Sequence, residues 1–334
     1  MNSSDCGTSG VLLLNMGTPD APEEEAIRRY LDEMLSDPAL ISCPPIIWRR
    51  VLDHVILPKR PKKTVGRYRA FWSEEGSPYL LDTLEQARLL ERKLASMGFD
   101  VLCRAGMRYG NPSIESRLKE LRDSGVGRLV VLPLFPQETR ATTQSALDEV
   151  SRCLSVLRQD GWDPSVSVVR SYCDNPAYVR ALVKSVVDRW IPGKNSCLAV
   201  SFHSTVVKDI EAGDPYKDQA EATARSLALG LGLDAETWKV TYQSRFDNRR
   251  WLKPLLAPTL VQWAEEGITD VCVVCPGFAA DCLETSIEVA RECGELFLSK
   301  ARPGSHFTYV PALGVTPEHI EVLASEVVSR LVMG

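Results

Sequence analysis

Several features that mark familiar protein classes are missing from this sequence. No apolar run approaches the roughly 18 residues of a transmembrane helix, and the run at 11–14 is too short for the core of a secretory signal. No GxGxxG turn follows that first apolar run and no Walker motif occurs, so nothing supports nucleotide binding. The net charge of −5 gives no general attraction to nucleic acid. The sequence therefore predicts a cytoplasmic protein that binds no nucleic acid.

Cysteine occurs ten times, but without the spacing of a disulfide framework or of a zinc site. Several cysteines lie inside apolar, strand-like runs, which is typical of buried free thiols in a reducing compartment. Cys272 and Cys275 form a CxxC pair, but side chains three residues apart in a strand point to opposite faces. Because no second pair stands at matching spacing, we predict neither disulfides nor a structural metal from these cysteines.

Short apolar runs alternate with longer amphipathic patterns along the chain. The apolar runs predict eight buried strands, at 10–14, 101–106, 128–132, 166–169, 197–202, 239–242, 270–275 and 306–310. The amphipathic patterns predict helices, one of them over 284–299, and several open with a capping residue or an early proline, as at Asn175 and Pro176. Buried strands that alternate with helices indicate parallel sheets of the doubly wound α/β class.

The 334 residues favour two domains, and four predicted strands fall on each side of residue 172. A weak internal repeat supports two similar halves, because 125–135 and 267–278 share the order strand, proline, phenylalanine and polar loop. We predict a first domain over 10–172, a second over 173–315, and a C-terminal helix over 316–334 that packs back on the body.

The segment 40–72 interrupts this alternation. Several apolar residues between 46 and 56 are followed by a basic cluster, Lys59, Arg60, Lys62 and Lys63. One interpretation, slightly favoured by composition, is an amphipathic helix packed on the core. The other is an apolar lip with a basic rim, which suits a flat apolar ligand bearing carboxylates or an anionic membrane surface.

Two predicted strand ends carry chemically useful side chains. His203 follows the strand at 197–202, and Asp281 and Glu284 lie in the loop after the strand at 270–275. Ligands bind at the carboxyl ends of strands in open α/β sheets. A lone histidine is more often structural, and either carboxylate could cap the next helix, Asp281 more readily. The residues 204–208 do not resemble a helix start, so we place the imidazole on a loop, where it can accept protons or bind a metal.

Taken together, these segments resemble the ferrochelatase family from about residue 10 to the C-terminus. The matching motifs are LNMGTPD at 14–20, GSP at 76–78, MRYG at 107–110, VLPLFPQ at 131–137, SFH at 201–203, GDPY at 213–216, YQSRF at 242–246, WL at 251–252 and CPGFAADCLET at 275–285. The resemblance implies insertion of Fe(II) into protoporphyrin IX, giving protoheme and two protons in heme biosynthesis. It also implies two Rossmann-like domains with a porphyrin cleft between them. Met16 fits the protoporphyrin-type enzymes, since coproporphyrin-type members carry tyrosine there.

The resemblance also implies the site residues. His203 and Glu284 would be catalytic and would meet the metal from opposite faces of the porphyrin. The porphyrin would be bound by Met16, Lys59, Arg60, Ser77, Arg108, Tyr109 and Trp251. We expect no tightly bound cofactor and, with no cysteine after Cys293, no iron–sulfur cluster. Ferrous iron and a tetrapyrrole are the expected partners, with transient contact to the inner membrane face through 40–72. No oligomeric state is indicated.

The sequence departs from the family near the chemistry. Where the family has glycine, an aliphatic residue and proline after the histidine, this chain has Ser204, Thr205 and Val206. After Gln137 it has Glu138 and Thr139 in place of an aromatic residue and serine, with Arg140 next, and Tyr79 and Asp247 are also atypical. Losing the glycine restricts the backbone and adds a side chain where a ligand would approach. Three hypotheses follow: a protoporphyrin ferrochelatase, a divergent chelatase with another metal or tetrapyrrole, and a non-catalytic heme or porphyrin binder.

Overall fold

The computed structural model describes residues 8–41, 43–245 and 248–333. Contacts among these residues separate the chain into two units. Unit 1 contains the described residues up to 135, residues 139–171 and those from 320 onwards, whereas unit 2 contains residues 136–138 and 172–319. The chain therefore enters unit 2 briefly at 136–138, leaves unit 1 again at 172 to build unit 2, and returns to unit 1 for most of its last helix. The atypical Asp247 lies outside the described residues.

Unit 1 is built on a four-stranded parallel sheet. Its strands are β1 (Thr8–Asn15), β2 (Val101–Met107), β3 (Val126–Pro133) and β4 (Ser165–Val168), in the spatial order β2-β1-β3-β4. Residues 11–14 of the central β1 have no exposed surface. A parallel sheet covered on both faces leaves its inner strands no solvent side, and this explains why that run is continuously aliphatic.

Helices surround this sheet. In unit 1 they are α1 (Glu24–Leu35), α2 (Pro45–Val51), α3 (Arg60–Phe71), α4 (Pro78–Ser96), α5 (Ile114–Asp123) and α6 (Ser145–Gln159), with π-helical segments at Leu52–Ile56 and Arg140–Gln144. The start of α5 is fixed by Ser113, whose hydroxyl oxygen accepts a hydrogen bond from the Ser116 N–H.

Unit 2 repeats the same architecture. Its strands are β5 (Ser196–His203), β6 (Trp238–Gln243), β7 (Asp270–Val274) and β8 (His306–Val310), in the parallel order β6-β5-β7-β8. Its helices are α7 (Pro176–Val187), α8 (Val207–Glu211), α9 (Tyr216–Gly230), α10 (Leu256–Glu265) and α11 (Gly294–Lys300), with a 3₁₀ turn at Ala235–Thr237 and a π-helix at Leu283–Cys293. In each sheet the first strand in sequence pairs with the second and third. The predicted fold class, two four-stranded doubly wound parallel sheets, is confirmed.

The last helix, α12 (Pro317–Met333), begins in unit 2 and runs into unit 1. In unit 1, Arg128 donates to the Leu331 carbonyl oxygen at 2.9 Å, and Lys93 forms an ion pair with Glu321. These contacts tie α12, near its start and near its end, to a helix and the sheet of unit 1. Among the described helices, none combines the length and the apolar character needed to cross a membrane.

Two local predictions need correction. The residues after His203 include the short helix α8, which begins at Val207, where we expected a continuing loop. The pattern over 284–299, expected as one α-helix, is a π-helix that gives way to α11 at Gly294. In both cases the backbone conformation of a few residues depends on neighbouring segments at the strand ends. A periodic pattern of side chains does not report that conformation.

His319 predicts an acid-sensitive step in stability. It is almost fully buried, its Nδ1 lies 2.7 Å from the Gly314 carbonyl oxygen, and burial lowers its pKa from 6.5 to about 4. The unfolded chain therefore binds this proton more tightly, so folding loses stability as the pH falls from 6.5 towards 4. The loss amounts to about 3 kcal/mol for a shift of this size. Urea midpoints measured across this range should fall steeply for the wild type.

The matched variants for this prediction are His319→Asn and His306→Asn. Asparagine at 319 keeps an N–H that can face the carbonyl but carries no titrating group, so its stability should depend less on pH. His306 is exposed, and its replacement should leave the pH dependence unchanged. An equally steep loss of stability in His319→Asn would contradict the assignment.

Candidate active site

His203 is the last residue of β5, at the carboxyl edge of the sheet of unit 2, and is half-buried. Its Nδ1 lies 2.7 Å from the carbonyl oxygen of Ser204. A carbonyl oxygen can only accept, so in the neutral ring Nδ1 carries the hydrogen and Nε2 keeps its lone pair. The side chain can therefore accept a proton or bind a metal ion through Nε2.

The backbone around His203 is fixed by its neighbours. The Tyr216 hydroxyl donates to the His203 carbonyl oxygen at 3.0 Å, and Tyr216 is itself buried at the start of α9. On the adjacent strand, Gln243 lies in register with His203 and accepts a hydrogen bond from Ser201 at 2.6 Å. Sequence reasoning noted the GDPY motif but not this use of its tyrosine.

The atypical Ser204 does not obstruct the site. It is 2% exposed, and its hydroxyl donates to the Leu252 carbonyl oxygen at 3.2 Å. The expectation that this residue adds a side chain where a ligand approaches is wrong, because the hydroxyl is used inside the protein. Serine in place of the usual glycine is thus accommodated by the hydrogen bond between its hydroxyl and the Leu252 carbonyl.

Glu284 stands in the first turn of the π-helix Leu283–Cys293, which follows β7 through the loop at 275–282. It is half-buried. A π-helix bonds residues five apart, so residues four apart follow one another along one side, and Glu284, Glu288 and Glu292 form such a row. Glu288 accepts from the Ser244 N–H at 2.9 Å and from its hydroxyl at 2.7 Å. Glu284 and Glu288, at the start of this row, therefore lie near the carboxyl edge of the sheet, where β5 ends in His203.

Asp281 has a structural role. One of its carboxylate oxygens accepts from the Thr285 hydroxyl at 2.9 Å and the Ala312 N–H at 3.3 Å, and also from the Tyr309 hydroxyl. The helix cap itself is the next residue, Cys282, which forms a capping box with Thr285. Asp281 is therefore not the cap that the sequence suggested, but it does fix the loop from which Glu284 projects.

In unit 1, Met16 follows β1 and is half-buried. The next residue, Gly17, has φ +102°, and a Cβ there would lie 1.8 Å from the Tyr109 carbonyl oxygen. The Met16 N–H lies 3.3 Å from the Tyr79 hydroxyl, which donates to Asn15. Ser77 is 2% exposed. The turn that presents Met16 is thus tightly packed from several sides.

Arg108 and Tyr109 belong to a buried polar cluster that the sequence did not predict. Asp37, in the loop after α1, accepts from Arg108 at 2.6 Å, from the Tyr109 hydroxyl at 2.7 Å and from the Ser145 hydroxyl at 2.5 Å. Burial alone raises the pKa of Asp37, but hydrogen bonds from Ser145, the Ala39 N–H and Tyr109, with the charge of Arg108, hold it below its ordinary value. Tyr109 has no exposed surface. Both residues therefore serve the internal packing of this loop.

The segment 40–72 is not a helix packed on the core along its length. None of the α2 residues is buried, and Ile46 and Ile47 are 77% and 58% exposed. Leu52 does reach the core, and a cavity of about 610 Å³ lined by Trp48 and Arg50, among others, opens beside α2. The interpretation as an apolar lip fits these observations better than the one we favoured from composition.

The remaining predicted residues occupy different environments. Lys59 is exposed just before α3, and Arg60 is half-buried at its first position. Trp251 is 6% exposed, and the Arg249 guanidinium lies 5.3 Å from its ring centre. Gln137 is buried and donates to Thr223 at 3.0 Å. Across the part of the chain that the structure describes, no group of three or more His, Cys, Asp or Glu side chains is placed to hold a metal ion.

Comparison with known proteins decides the family. The ferrochelatase family model matches residues 8–331. The chain belongs to the ferrochelatase family. The ferrochelatase of Aromatoleum aromaticum is 43% identical over 325 residues, which span 97% of this chain and 88% of the relative. Ferrochelatase 2 of Shewanella oneidensis is 41% identical over 320 residues, with 96% of each chain covered. The predicted resemblance is confirmed, and the reaction class of the family is porphyrin metal chelation.

The ferrochelatase family fold is shared with more distant chelatases. SirB from Bacillus subtilis with Fe³⁺ superimposes with a TM-score of 0.59 at 13% identity, covering 96% of this chain and 95% of that chain. The sirohydrochlorin chelatase SirB from Bacillus subtilis subspecies spizizenii, in complex with cobalt, gives 0.53 at 13% identity, covering 96% and 94%. At these identities the likeness shows the common fold.

Proposed function

We propose that this chain is a ferrochelatase that inserts Fe(II) into protoporphyrin IX, releasing two protons, in heme synthesis. The observation that carries this proposal is the His203 imidazole at the carboxyl end of β5, with Nδ1 bonded to a carbonyl oxygen and Nε2 free to accept. It occurs in a chain of the ferrochelatase family. The proposal gives the half-buried histidine a reaction that needs a base.

His203 accepts a pyrrole proton at Nε2. A porphyrin must lose both N–H protons as the metal ion enters, and a neutral imidazole is a suitable acceptor near neutral pH. When the ring becomes positively charged, its Nδ1–H bond to the Ser204 carbonyl becomes charge-assisted and therefore stronger.

Glu284 binds the incoming Fe(II). A carboxylate is a hard oxygen ligand, and Fe(II) arrives with water and oxygen ligands that must be exchanged. Glu288 and Glu292 follow Glu284 along the π-helix, and Glu288 accepts hydrogen bonds from Ser244 through both carboxylate oxygens. Since Asp281 is committed to Tyr309 and Thr285, the task falls to Glu284 at the first turn.

In unit 1, Met16 and Lys59 are suited to porphyrin contact. Met16 offers a polarizable apolar side chain at a strand end, and the exposed ammonium of Lys59 suits a propionate. Arg60 adds a second cation beside it. We propose that Ser77, Arg108 and Tyr109 hold this part of unit 1 in place and do not contact the porphyrin directly, because each makes hydrogen bonds inside the protein.

An anaerobic activity matrix tests the proposal. The purified chain is incubated with Fe(II), Zn(II) or Co(II) against protoporphyrin IX or coproporphyrin III, and porphyrin fluorescence is followed. We expect the highest kcat/KM with Fe(II) and protoporphyrin IX. A different preferred pair would establish the divergent chelatase instead, and tight porphyrin binding without turnover for any metal would establish a binder.

We further propose that α2 docks on an anionic membrane surface. Ile46 and Ile47 are exposed, and Arg50, Lys59, Lys62 and Lys63 supply positive charge within the next sixteen residues. Apolar side chains flanked by basic ones are the pattern of interfacial binding. Such contact would serve an enzyme whose substrate is poorly soluble in water.

Sedimentation with phosphatidylglycerol-rich vesicles checks this docking. We expect the chain to bind, to be released at high salt as the charges are screened, and to bind about tenfold more weakly after Ile46→Ser with Ile47→Ser. The control is Ile191→Ser, which removes an isoleucine that is 84% exposed elsewhere. Equal losses in the two variants, or equal binding to neutral vesicles, would count against the proposal.

A further inference from the structure

The residues after His203 form a small antiparallel contact with the residues around Trp251. The Leu252 N–H donates to the Thr205 carbonyl oxygen at 3.0 Å, and the Val207 N–H donates to that of Arg250 at 2.8 Å. Val206 and Trp251 lie opposite one another as a bridge pair. The neighbours of Trp251 on either side are therefore joined by backbone hydrogen bonds to the segment that follows His203.

Ser204 is the residue through which this contact reaches the histidine. Its N–H donates to the Gln243 carbonyl oxygen at 2.8 Å, its hydroxyl donates to that of Leu252 at 3.2 Å, and its own carbonyl oxygen lies 2.7 Å from His203 Nδ1. With 2% of its surface exposed, Ser204 makes these bonds away from water. Ser204, whose carbonyl accepts the histidine hydrogen, is thus held in place by hydrogen bonds to Gln243 on one side and to Leu252 on the other.

The tautomer of a neutral histidine is decided by the partner of the other ring nitrogen. If the Ser204 carbonyl turned away, the hydrogen could move to Nε2, and the ring would present a donor where a proton acceptor is needed. A methyl group at 204 would lose the bond to Leu252, whereas threonine would retain a hydroxyl. The hydroxyl thus adds a side-chain bond to the backbone bonds that hold this segment.

We propose that Ser204 is a positioning residue that fixes the reactive tautomer of His203 and couples it to the Trp251 segment. The inference rests on the proposed function, since it assigns the proton acceptor to Nε2. It also gives a purpose to the residue that replaces the usual glycine. In this chain the hydroxyl supplies an anchor that a glycine would lack.

Histidine tautomers can be read directly by ¹⁵N-histidine NMR, because the chain has only four histidines and single substitutions assign them. We expect the hydrogen of His203 on Nδ1 in the wild type, a mixture of tautomers in Ser204→Ala, and recovery in Ser204→Thr. The kcat for iron insertion should fall about fivefold in Ser204→Ala, the effect of losing one hydrogen bond. The KM for Fe(II) should change little.

Ser185→Ala is the matched control, because it removes a hydroxyl bond to a backbone carbonyl, that of Leu182, at 2.8 Å on α7. It should change neither the tautomer nor kcat. A wild-type spectrum with the hydrogen of His203 on Nε2, or a folded Ser204→Ala with unchanged tautomer and kcat, would overturn the inference. The spectrum needs no turnover, so an inactive wild type would reject the proposed function separately.

Discussion

A His203→Ala variant is expected to insert iron about 10²–10⁴-fold more slowly than the wild type, the usual contribution of a general base. The reason is that the protons of the porphyrin lose their acceptor, while the helices and strands that hold the rest of the chain are untouched. Porphyrin binding, followed by quenching of porphyrin fluorescence, should change much less than kcat. The measurement is anaerobic turnover with Fe(II) and protoporphyrin IX under saturating conditions.

Two further variants separate the roles in this prediction. His306→Ala removes an exposed histidine at the start of β8 and should keep wild-type activity. Glu284→Gln should raise the KM for Fe(II) more than it changes porphyrin binding, because it removes a carboxylate and preserves its shape. If His203→Ala retains more than about a tenth of the wild-type kcat, another group takes the protons and the assignment of His203 fails.

Gly17→Ala is expected to destabilise unit 1 by at least about 3 kcal/mol. The left-handed φ of +102° disfavours any side chain, and the new Cβ would lie 1.8 Å from the Tyr109 carbonyl oxygen. That carbonyl cannot move freely, because the Tyr109 N–H donates to the Met16 carbonyl at 2.9 Å. Strand ends β1 and β2 would have to separate. The midpoint of urea denaturation, followed by circular dichroism, measures the loss.

Gly66→Ala is also a glycine-to-alanine substitution, but it is expected to raise the stability of the protein instead of lowering it. Gly66 lies inside α3, and a Cβ there would meet nothing within 4 Å. Alanine in a helix interior is favoured over glycine by about 1 kcal/mol, so this variant should be slightly more stable. A wild-type midpoint in Gly17→Ala would show that the turn at Met16 does not have the described backbone conformation.

The strands and several helix starts could be predicted from the sequence because their causes are local. The continuous aliphatic run in β1 leaves few alternatives to a buried strand, and Asn175 caps α7 through its own side chain, at 2.8 Å from the Ala177 N–H. The internal repeat also proved informative, since 125–135 and 267–278 contain the third strand of each sheet, β3 and β7. Patterns of a few adjacent residues carry this information.

The rest depended on residues far apart in sequence. Asp37 and Arg108 are 71 positions apart, and nothing near either one predicts that they pair. The π-helical course of Leu283–Cys293 was missed because a side-chain pattern that predicts a helix does not report whether its backbone bonds run four or five residues apart. The use of Ser204 was missed for the same reason as Asp37, because its partner Leu252 lies in another loop. His203 and Glu284 could be predicted as candidate site residues because they lie at or just after predicted strand ends, where an open α/β sheet binds ligands.

The return of α12 to unit 1 has a consequence for how the protein is made. Unit 1 takes its last described segment from residues beyond 320, whereas the final residues of unit 2 precede them. During synthesis from the N-terminus, every residue of unit 2 leaves the ribosome before unit 1 has its last helix. Domains generally fold as units during synthesis. Unit 2, with His203 and Glu284, can therefore be finished first, and the unit that begins the chain is the last to be completed.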